Sequence, residues 1–190
     1  MLPSMNGPPV GEPTAIRLAV PNHRDADGFA RYLVEHMAES GRGGSPHYAL
    51  ARRLDRFEVE EHARERWERT VGESGWARAF LLWAGDRVVG HVELKGGRIT
   101  AEMHRATLGI GMRRALTGKG WGRRLMETAI GWAREDAKLT WIDLGVFSEN
   151  APARKLYRSL GFTEIGSREE AFRLDSGVVV TDILMALKLR

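Results

Sequence analysis

The chain contains no cysteine. Disulfides, thiolate metal sites and a cysteine nucleophile are therefore excluded. Long apolar runs are missing as well. The longest, around Phe80–Ala84, falls far short of the ~20 residues that cross a bilayer as a helix, so no membrane partner is expected. No basic segment followed by an apolar one stands at the start, so a secretory leader is not expected and the cytoplasm is the expected compartment. The six histidines show no H-x-x-x-H or similar pairing, and no metal site is expected. What is present is ordinary for a globular protein: 190 residues, 43% hydrophobic and 28% charged, with a net charge of only +4. That mild basic balance suits an anionic ligand and lends little to nucleic acid, which is not an expected partner.

Residues 1–13 hold four of the seven prolines together with Gly7 and Gly11, and read as a flexible tail ahead of a single domain over 14–190. Ala15–Val20 reads as a first strand. A helix follows over 26–39, capped by Asp25, with Phe29, Leu33, His36 and Met37 on one side. The stretch from 40 to about 57 lacks periodicity and carries His47 and Tyr48. It reads either as mobile surface or as a loop on the substrate side. Glu58–Val71 is charge-laced and helical, with Glu60–Arg64 and Glu65–Arg69 spaced for i,i+4 pairing. Arg78–Ala84 and Arg87–Leu94 form a hairpin around Gly85-Asp86, and a further strand covers about Glu102–Met112. Gly109 and Gly111 inside that strand point to a bulge or a close backbone approach.

The stretch Thr107–Glu127 organises the rest. A short apolar strand runs into a turn containing Gly118, Gly120 and Gly122, and an amphipathic helix follows over about 122–137 with Leu125, Ala129, Ile130 and Ala133 inward. Strand, glycine turn and helix in that order make an anion site, because first-turn N–H groups lack intrahelical partners and sit at the positive end of the dipole. Five cations (Arg113, Arg114, Lys119, Arg123 and Arg124) fall within twelve residues with no acid among them. A ligand carrying several phosphates is implied. It is not a P-loop ligand: Gly120 follows Gly118-Lys119, and Arg113 stands where the first glycine would be. The dinucleotide fingerprint fails at Arg123.

Beyond the turn come a strand over Thr140–Phe147, a short helix capped by Asn150 with Pro152 in its first turn and Gly161 at its end, and two strands over Phe162–Leu174 and Val178–Leu189. Two motifs in this order resemble those of the GNAT acetyltransferase superfamily. T-G-K-G-W-G at 117–122 is similar to the [QR]-x-x-G-x-[GA] pyrophosphate loop, with Thr117 in place of Gln or Arg. N-A-P-A-R-K-L-Y-R-S-L-G-F at 150–162 resembles N-x-x-A-x-x-L-Y-x-x-x-G-F, matching at Asn150, Ala153, Leu156, Tyr157, Gly161 and Phe162.

The resemblance implies an α/β (mixed α+β) GNAT fold: a mostly antiparallel, twisted sheet of about seven strands with splayed central strands, flanked by about four helices. It implies an N-acetyltransferase that moves an acetyl group from acetyl-CoA directly to an amine, on a small molecule or a peptide, in a ternary complex. The cofactor would be held by Ile110, Met112, Thr117, Gly118, Lys119, Gly120, Gly122, Arg123 and Asn150. Tyr157 would be the general acid, since a phenol with a pKa near 10 stays protonated at neutral pH. Many members carry a glutamate where Thr107 stands here; Glu93 and His104 are the replacements on offer as base, with Glu102 behind them. The Thr117 and Thr107 departures keep a second reading open, a module that binds CoA without turnover. Apolar positions near the C-terminal strands hint at a homodimer.

Overall fold

The computed structural model describes residues 11–43, 45–48 and 54–190. Most of the expected tail lies outside these residues; its last residue, Pro13, is buried. Seven strands form one sheet: β1 (Ala15–Leu18), β2 (Ala77–Ala84), β3 (Arg87–Gly96), β4 (Arg105–Met112), β5 (Trp141–Phe147), β6 (Thr163–Arg173) and β7 (Val179–Lys188). Four α-helices accompany them: α1 (His23–Glu39), α2 (Arg56–Glu68), α3 (Trp121–Glu135) and α4 (Ala151–Ser159). Spatial order is β1-β2-β3-β4-β5-β7-β6, and every pairing is antiparallel except β4 with β5.

The apolar run too short for a membrane is the strand that both layers share. Along β2, Phe80 and Leu82 face a core with Val92, Leu94, Leu125, Met126, Ala129 and Ala133, while Ala79, Leu81 and Trp83 face Phe29, Tyr32, Ala63 and Trp67. Successive side chains on a strand point to opposite faces, so a strand covered on both sides loses its alternation of apolar and polar residues. Helices α3 and α4 thus cover one face, and α1 and α2 the other.

Helix boundaries follow their caps. α1 begins before the expected position because Asn22 caps it, its Oδ1 accepting from Asp25 N at 2.8 Å. Asp25 instead accepts from Val20 N at 3.1 Å and fastens the preceding strand. α2 is capped by Asp55, whose carboxylate accepts from Phe57 N and Glu58 N. The expected i,i+4 pairs on α2 do not form: Glu60 is buried and meets His23 Nδ1 at 2.6 Å, and Arg69 donates to the Ser74 carbonyl. Inter-element packing outweighs a surface pair worth a few tenths of a kcal/mol.

Two strands are placed to matter for function. The β4–β5 pairing covers only Arg105↔Trp141, Ala106↔Ile142 and Thr107↔Asp143, after which the strands diverge. The expected splay is present; of the two readings of the strand glycines, a bulge or a close approach, the bulge is absent, because β4 keeps an unbroken register with β3 from Ala106 to Met112. Of its glycines, Gly111 serves a close approach, to His36 and Tyr32, while nothing lies within 4 Å of where a Cβ would sit on Gly109. At the other end of the sheet β6 is an exposed edge, interrupted between Arg168 and Phe172 and lined with Arg168, Glu169 and Glu170. An irregular, charged edge discourages pairing with another chain. Among the described residues no helix is long and apolar enough to cross a membrane.

Candidate active site

The site forms where the sheet opens. Arg105 holds the base of the splay, with Nε and Nη2 donating to the Asp143 carboxylate at 2.8 and 2.6 Å across the last paired residues. Beyond that clamp the amides of β4 alternate in direction. Arg113 N donates to Val89 O on β3, whereas His104 O accepts from Thr140 N on the β5 side. With a two-residue period, the N–H groups of Leu108, Ile110 and Met112 therefore face the opening rather than β3. Ile110 and Met112 line a cleft of about 730 Å³ that occupies this opening.

One end of the cleft is the glycine turn. Gly118 and Gly120 adopt φ of +75° and +83°, and nothing lies within 4 Å of where a Cβ would sit on either. Only glycine takes this backbone without strain, and the space it leaves is open for a ligand. Gly120 is also the cap of α3, which has no acidic residue in its first turn. Positive-φ glycines, free first-turn amides and nearby cations together fit a diphosphate. Thr117, Gly118, Gly120, Gly122, Arg123 and Asn150 all line the cleft. Arg123 is braced by Ser159 Oγ at 2.7 Å and Glu127 at 3.3 Å. Lys119 is exposed and stays outside the lining. Asn150 spends its Oδ1 on capping α4, accepting from Ala153 N at 3.3 Å, although the residue borders the cleft.

Tyr157 closes the wall opposite β4. It projects from α4 into the cleft lining, is 7% exposed and packs beside Phe162 at 6.1 Å between ring centroids. Among the described residues its hydroxyl takes no hydrogen bond. Burial pushes the phenol up to about 12, so it stays protonated throughout the neutral range.

None of the three sequence candidates for a base lines the cleft; Glu102 is exposed and accepts from Arg98 N at 3.2 Å. Glu93 lies across from Gly109 on the α1–α2 face, buried, with Lys95 Nζ at 3.3 Å and Trp67 Nε1 at 3.4 Å. His104 is exposed in the turn before β4. Two other residues stand on the cleft wall instead: Tyr48, from the stretch read in sequence as either mobile surface or a substrate-side loop, and His36, to which the sequence assigned only a place on a helix face. His36 is stacked between Tyr32 at 5.4 Å and Tyr48 at 4.6 Å, with planes within 12°. Its Nε2 edge lies over Gly111, where an added Cβ would collide with it. Burial, with help from His91 and Arg113, lowers its pKa to about 3, so the ring is neutral. Tyr48 reaches this wall because its hydroxyl donates to His36 O at 2.9 Å and its N–H to Ser40 Oγ at 3.0 Å. For His36 the one sequence signal was the glycine at 111.

The Acetyltransferase (GNAT) family model matches residues 45–162. Among solved structures, an acetyltransferase of the GNAT family from Streptococcus pneumoniae is 23% identical, with a TM-score of 0.75 over 92% of this chain and 98% of that one. The Salmonella typhimurium protein yncA, solved with its cofactor acetyl-CoA, is 18% identical, with a TM-score of 0.73 over 93% and 95%. A GCN5-related N-acetyltransferase from Kribbella flavida is 26% identical, with a TM-score of 0.69 over 92% and 98%.

Proposed function

The chain belongs to the GNAT family of acetyltransferases, and from that premise we propose that it moves an acetyl group from acetyl-CoA directly to a primary amine within one ternary complex. The observation that carries this reading is the opened seam: the amides of Ile110 and Met112 turned into a cleft that runs from the glycine turn to Tyr157. Acetyl-CoA supplies a thioester whose acyl carbon is open to attack. The turn at 117–123 grips the diphosphate through backbone N–H groups, with Arg123 beside it. The Ile110 or Met112 N–H donates to the carbonyl oxygen as it gains charge. Tyr157 donates its phenolic proton to the departing sulfur. The amine nitrogen bonds to the acyl carbon and the C–S bond breaks. The neutral nitrogen gives up one proton, which restores the phenol that protonated the sulfur, so the step balances with no net gain or loss of protons. With no cysteine in the chain, a thiol-bound intermediate is excluded.

The rival is a module that holds CoA without turnover, and the position of Glu93 and His104 outside the cleft favours it. One experiment separates the two. Acetyl-CoA binding is measured by calorimetry and thiol release is followed over an amine panel, with Tyr157→Phe alongside. The enzyme reading expects the variant to keep its CoA affinity within about twofold and to lose on the order of 10²-fold in kcat. Binding without thiol release, indifferent to the substitution, establishes the rival. Absence of binding at millimolar acetyl-CoA defeats both.

A further inference from the structure

Resting on the activity just proposed, we infer that the acceptor is a weakly basic amine of the α-amino class, which enters the cleft already neutral and seats against the Nε2 edge of His36. The acceptor half of the cleft is built from His36, Ser45, Pro46 and Tyr48 over Gly111. Gly111 lies between the two residues whose amides face the opening, so an amine seated against His36 stands beside the acyl carbon. His36 is 5% exposed and locked between two tyrosine rings, and its buried Nδ1 has no partner among the described residues. The ring is therefore fixed, with the Nε2 edge at the cleft wall.

Nothing in this half offers an ammonium a counter-charge. No carboxylate lines the cleft among the described residues, and residues 1–10, 44 and 49–53 contain no acid. The acids around His36 are already committed. On its own helix, Glu35 pairs with Arg113, and Glu39 meets Arg113 Nε at 3.0 Å and Arg114 N at 3.1 Å. Glu93 is held by Lys95, and Glu149, half-exposed and 3.8 Å from His47 Nδ1, stands outside the cleft lining. The other groups facing the ring are Tyr32, Tyr48, His91 and Arg113, none of them negative at neutral pH. Burying an unpaired cation here is costly, so the amine sheds its proton to bulk water first. A neutral amine also removes the need for a carboxylate base, since it has only one proton to give up and the departing sulfur takes up one. Burial keeps His36 an uncharged partner above about pH 3.

This selects by basicity. At pH 7.5 an α-amino group with a pKa near 7.8 is about one third neutral, and a lysine-type amine with a pKa near 10.4 about one part in 800, a ratio on the order of 250-fold. The test compares an amino-acid amide, an ε-amine on an α-acetylated lysine amide, and spermidine, at saturating acetyl-CoA whose binding is checked separately by calorimetry. The expected result is a kcat/KM at pH 7.5 about 10²-fold higher for the α-amine. The ε-amine should then gain roughly tenfold per pH unit up to pH 9.5, each profile rising to its own amine's pKa. His36→Phe, which keeps a ring in the stack, should lower kcat/KM for the α-amine by about tenfold or more and leave CoA affinity unchanged. An ε-amine or polyamine favoured at pH 7.5, or one enzyme-determined limb shared by all amines, overturns the inference on the wild-type protein alone. Failure of acetyl-CoA to bind overturns the parent activity instead.

Discussion

Burial acts on the phenol of Tyr157 and on the imidazoles of His36 and His91 in opposite senses, and leaves all three uncharged. For the phenol the effect extends the pH range over which it can donate. For the imidazoles it creates an acid liability. Both titrate near 6.5 when unfolded and near 3 in the folded protein, so below pH 6.5 the unfolded chain binds more protons. Their contribution is complete above pH 6.5 and drains away as the pH falls toward 3. The expected loss is about 1.4 kcal/mol per pH unit for each group, read by denaturant unfolding between pH 7.5 and 5. His91→Gln should roughly halve that slope. At Gly111 the constraint is steric. Gly111→Ala forces His36 and Tyr32 to shift, so it should cost about 1–3 kcal/mol and raise the acceptor KM more than that for acetyl-CoA.

Among the elements, the glycine turn and the two caps beside it carry the most. Gly120→Ala puts a side chain on a left-handed cap, an expected loss of about 1–2 kcal/mol. Calorimetry should register weaker CoA binding for the same variant, since a methyl group then points into the cradle. Asn150→Ala removes one cap bond from α4 and should cost on the order of 1 kcal/mol in the same unfolding assay. These elements were legible in advance because each is written in local chemistry: a glycine with positive φ, a cap, a proline in a first turn. The seven strands and four helices follow from the same kind of signal. The base was not legible, because whether Glu93 or His104 reaches the cleft depends on which face of β3, and which side of a turn, meets another layer. Nor was His36: in sequence it is one more residue on a helix face, and only the packing of α1 across β4 sets it over Gly111.

At the scale of the whole molecule, the cleft touches α1, β4, the glycine turn and α4, so a ligand there joins parts that are distant in sequence. Acetyl-CoA at 100 times its Kd should stabilise the protein by about 2.7 kcal/mol, and a melting curve should move up by several degrees. Arg105→Ala, which frees the base of the splay, should lower the melting temperature in the absence of ligand and enlarge that shift.

The diverging strands also impose a filter by shape. Free amides along a strand edge ordinarily invite pairing with another polypeptide, but these lie in the interior, roofed by helices on both sides. Only something slender and rich in amides of its own can reach them, and a folded neighbour cannot. A bound pantetheine arm would complete the interrupted ladder as a makeshift eighth strand. Exchange of the Ile110 and Met112 amides with deuterated solvent should therefore slow sharply on addition of CoA, while the exposed β6 edge keeps its rate.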